Sequence, residues 1–203
     1  MNIRDIYKEY REKSFSSAYK NIKEYNLTKK KTDESLFLEY LISYTNMHDL
    51  TNKEYFDFFE YSFINLKDRR KIVAKFLVEI TYELNYFSLC RKYINYLEEK
   101  ENYTENIFLA YKIRIMIYLD HSLEEAKIKA KEVVLNESLE SIIRNDALLS
   151  IYDIYKEYND VSRLSELKDF LDEIKDLYPS PQAIYYNNLD LGIYYKLGLD
   201  FFR

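Results

Sequence analysis

Ile6-Tyr7-Lys8-Glu9-Tyr10 and Ile154-Tyr155-Lys156-Glu157-Tyr158 are the same five residues at opposite ends of one chain. Four further stretches vary the theme: Ile42-Ser43-Tyr44-Thr45-Asn46, Ile80-Thr81-Tyr82-Glu83-Leu84, Ile115-Met116-Ile117-Tyr118-Leu119 and Ile193-Tyr194-Tyr195-Lys196-Leu197. Their isoleucines are 36, 38, 35, 39 and 39 residues apart. A fixed period of this length marks stacked supersecondary units, each unable to bury its apolar face alone. Each stretch is read as the end of the first helix in a helix–turn–helix unit. The units run over about 1–32, 33–67, 68–101, 102–137 and 138–179, with an incomplete sixth at 180–203, in a single domain of 203 residues.

Working outward, helical spacing recurs between the stretches. Ile3, Ile6, Tyr7 and Tyr10 share one face. Phe15, Ala18, Tyr19, Ile22 and Tyr25 follow behind Ser14, which is placed to cap them. Asp33 is expected to cap the third helix, and Thr51 to begin the fourth. Ile72, Val73, Phe76, Leu77 and Ile80 are expected inside the fifth, and Asn85-Tyr86 forms the turn to a sixth carrying Cys90. Ser122-Leu123-Glu124-Glu125 has the spacing of a capping box before Ala126, Ala130, Val133 and Val134. Pro179-Ser180-Pro181 stops a tenth helix and opens an eleventh. About 11 helices result.

Composition agrees. Only two glycines and two prolines occur, too few for strands joined by tight hairpins. Hydrophobic residues make up 47% and charged residues 32%, enough apolar surface for a packed core. The 23 tyrosines and 12 phenylalanines suit helix seams and interaction surfaces, and an AT-rich genome accounts for them equally. Net charge is −5, yet residues 1–32 carry nine Lys/Arg against four Asp/Glu. Solvated surface is the simplest account of that basic end.

In the last unit, Leu191, Gly192 and Tyr195 match the small-and-aromatic spacing of a tetratricopeptide first helix, and Gly198 matches its interhelix turn. Pro179 or Pro181 is similar to the proline that closes such a repeat, and Ala126 and Ala130 to the small residues of a second helix. The chain thus resembles the tetratricopeptide-repeat family, closely in one unit and loosely in five. Asn188 stands where the family has an aromatic, and the earlier units lack its glycine. The resemblance implies an all-α, right-handed solenoid of antiparallel helix pairs. It also implies a concave wall of first helices that binds extended peptides or partner helices, as in peptide-sensing regulators and adaptors.

Cys90 is the only cysteine, expected buried and inert. His48 and His121 fall in interhelix corners, remote in sequence from Cys90, so no nucleophile has a base. No zinc spacing or glycine-rich phosphate loop occurs. No catalytic residue, metal or cofactor is therefore expected. For a peptide, Asn145, Asn187 and Asn188 offer a donor and an acceptor each, and Lys112, Arg114 and Arg144 offer cations for a carboxylate. Tyr185, Tyr194, Phe201 and Phe202 lie on or after an eleventh helix with no partner helix, a surface for another subunit or protein. The basic corners Lys29-Lys30-Lys31 and Arg69-Arg70-Lys71 are read as ordinary surface charge and nucleic acid is not the expected partner, although the second corner is a hint toward it because cations sit poorly at a helix start. No apolar run reaches membrane-spanning length and Met1-Asn2-Ile3-Arg4-Asp5 shows no signal core, so the cytoplasm is expected. The expected function is a non-enzymatic peptide- or protein-binding module. The alternatives are an oligomerising structural subunit and a small nucleic-acid binder.

Overall fold

The computed structural model describes residues 2–29, 31–47 and 50–156, with Ser165, Glu166 and Asp169. It is all-helical, with no strand among the described residues. The chain divides into two compact units, Met1–Tyr103 and Thr104–Arg203. The first holds α1 (Ile3–Arg11), α2 (Phe15–Thr28), α3 (Asp33–Ile42), α4 (Asn52–Asn65), α5 (Arg70–Glu83) and α6 (Phe87–Glu101). The second holds α7 (Ile107–Ile115), α8 (Leu123–Leu135) and α9 (Ser141–Lys156). The expected tenth and eleventh helices lie outside the described residues, apart from the three named above.

Five of the six repeated isoleucines lie on the odd-numbered helices, Ile6 in the middle of α1 and the other four in the last turn of α3, α5, α7 and α9. Ile6, Ile42, Ile80 and Ile154 are fully buried and Ile115 nearly so. Ile193 lies outside the described residues. In α3 and α7 the last turn widens into π geometry, over Ser43–Met47 and Met116–Asp120. The first widening has a local cause. Thr45 Oγ1 donates to the Leu41 carbonyl at 2.8 Å and Asn46 Nδ2 to Ile42 at 3.5 Å, so side chains take carbonyls that the ladder releases.

Three turns within helix pairs share one conformation. Lys13, Asn85 and His121 are left-handed, at φ 60°, 58° and 54°. The residue after each has ψ near 60°: Ser14 at 57°, Tyr86 at 60° and Ser122 at 63°. That geometry corrects two expectations. An N-cap side chain reaches back to the helix amides from extended backbone. At these ψ values neither Ser14 nor Ser122 makes a side-chain cap bond, so the Ser122–Glu125 box does not form. Thr51 stands just before α4 and caps it, with Glu54 closing a capping box. The α3 cap is Thr32, one residue before the expected Asp33, because Thr32 is the extended residue and exchanges bonds with Ser35 at 3.0 and 3.2 Å.

In the first unit the core is aromatic around fully buried Phe59. Phe37 and Tyr44 meet it edge-on, and Phe76 stacks at 5.3 Å. On α5 the buried stripe is Val73, Ala74, Leu77, Val78, Ile80 and Thr81, whereas Ile72, expected inside, is 41% exposed. The second unit packs on small side chains. Ala110, Ala126, Ala130 and Ala147 are all fully buried, and they share one core with Ile113, Val134, Leu148, Ile151 and Ile154. Alanines there let α7, α8 and α9 approach closely.

Candidate functional site

On α7, Leu109, Lys112, Ile113 and Met116 fall at i, i+3, i+4 and i+7, one helical face. On α8, Lys129, Glu132, Val133 and Asn136 repeat that spacing. With Leu139 from the connection to α9, these two faces line a cleft of about 320 Å³. The floor is apolar: Ile113 and Val133 are buried, with Met116 and Leu139 half-buried beside them. Leu109 is 42% exposed at its edge. Lys112, Lys129, Glu132 and Asn136 supply the polar lining. Lys129 Nζ and Glu132 Oε2 pair at 2.9 Å on exposed surface. Concave, mostly apolar sites of this volume with few polar groups are the usual form of a binding pocket.

Of the sequence-predicted residues, only Lys112 lines this cleft. Arg114, two residues on, faces another side of α7, with Nη2 3.7 Å from Asp146 Oδ1 on α9. Arg144 Nε donates to the Val134 carbonyl at 2.9 Å, at the C-terminal end of α8. Asn145 Oδ1 is buried with no hydrogen-bond partner among the described residues. The four therefore do not converge. Asn187, Asn188, Tyr185, Tyr194, Phe201 and Phe202 lie outside the described residues. Sequence reasoning missed Leu109, Met116 and Leu139 as cleft residues. The available signal was a methionine, Met116, continuing the Leu109–Ile113 stripe.

The basic corner at residues 69–71 has a structural use. Arg70 Nε donates to the Phe63 carbonyl at 2.8 Å and Nη2 to Ile64 at 3.1 Å, at the end of α4. Lys71 Nζ donates to the Glu101 carbonyl at 3.3 Å, at the end of α6. Antiparallel neighbours bring the start of α5 beside the carbonyl-rich ends of α4 and α6. Cations misplaced for their own helix dipole are thus well placed for two others. Arg69 pairs with Glu34 at 3.4 Å. That pair lies along a more open and more polar hollow of about 700 Å³ in the same unit.

Cys90 is fully buried, its Sγ 3.6 Å from the Val78 carbonyl, and burial pushes the thiol up to about 12. A thiol held protonated is neither nucleophile nor metal ligand. His121 is exposed at its corner, and His48 lies outside the described residues. Among the described residues no group of three or more His, Cys, Asp or Glu is placed to hold a metal. No described helix is long and apolar enough to cross a membrane. No protein-family model matches this chain, and no curated protein or solved structure matches it.

Proposed function

We propose that the chain is a non-enzymatic, tetratricopeptide-like helical-repeat module that holds a peptide segment of a partner protein. The observation that carries the reading is the apolar cleft between α7 and α8, ringed by a few charged side chains. Two features support the repeat architecture. First helices of consecutive pairs touch, α1 with α3 and α7 with α9, as stacked hairpins require. The left-handed Lys13, Asn85 and His121 occupy the turn position for which the family's glycine is suited. The binding surface differs from a wall of first helices alone, since half of the cleft comes from the second helix α8.

The test is affinity selection of a random linear-peptide library on the folded full-length chain. The expected result is enrichment of a shared motif whose synthetic peptide binds and competes with the pool. Failure to enrich any motif above an immobilised unrelated helical protein would remove the reading.

A further inference from the structure

We draw no further inference here: the strongest candidate, the apolar cleft between α7 and α8, belongs to the site already described, and nothing in the structure shows what covers it.

Discussion

Replacing Ile80 by alanine should cost about 2–5 kcal/mol of stability, the range for truncating a buried isoleucine in a core that relaxes only partly. Ile80 is fully buried at the end of α5. Ile72 opens the same helix at 41% exposure, and its alanine variant should lie within about 0.5 kcal/mol of the parent. Urea unfolding of the two variants side by side checks the contrast. The same large loss is expected at Ile42 in the first unit and Ile154 in the second, both fully buried at equivalent positions. Comparable losses at Ile72 and Ile80 would mean that the repeated stretches hold no special place in the packing.

The second large effect concerns arginines that close the ends of neighbouring helices. Arg70 gives two hydrogen bonds to the last turn of α4, and its guanidinium lies 5.5 Å from the centre of the Phe63 ring. Arg70→Ala should cost about 1–3 kcal/mol, because two terminal carbonyls lose a charged donor and the ring loses its cover. Arg70→Lys should recover less than half of that, since a single ammonium cannot reproduce the fork. Arg144, bonded to Val134 at the end of α8, should behave alike in the second unit. Denaturation midpoints of the alanine and lysine variants test this. A lysine variant as stable as the parent would mean that charge alone, without the fork, satisfies those carbonyls.

The helical frame was legible from residues because burial and period are local. Ile6, Ile42, Ile80, Ile115 and Ile154 recur at repeat spacing, and each is buried. Ala126, Ala130, Val133 and Val134 follow one helical stripe, and all four face the core. Turn conformation was hidden, because lysine, asparagine and histidine occupy a left-handed position that glycine would have announced. The bonds that Arg70, Lys71 and Arg144 make to helix-end carbonyls were hidden for the same kind of reason. Their partners lie on neighbouring helices, and a sequence pattern shows only a residue's own helix. Asn26 was missed likewise. It is nearly fully buried in α2 because Nδ2 reaches the Glu39 carboxylate at 2.7 Å and the Ser35 carbonyl at 3.3 Å on α3. The cleft needed coordinates for a further reason. An apolar stripe shows which face seeks cover, and only packing shows where cover stops.

Everything proposed for this chain depends on each helix pair being satisfied by its immediate neighbours rather than by one shared centre. The lone cysteine reports on that directly. Cys90 is sealed by α5 and has no neighbour among residues 1–29 in its hydrogen bonding. A chain lacking residues 1–29 should therefore keep a thiol that reacts with a disulfide reagent at pH 8 only as slowly as in the intact protein. A Cys90 that reacts in the shortened chain as fast as in urea would show that removing one hairpin dissolves the core, and it would contradict the stacked arrangement.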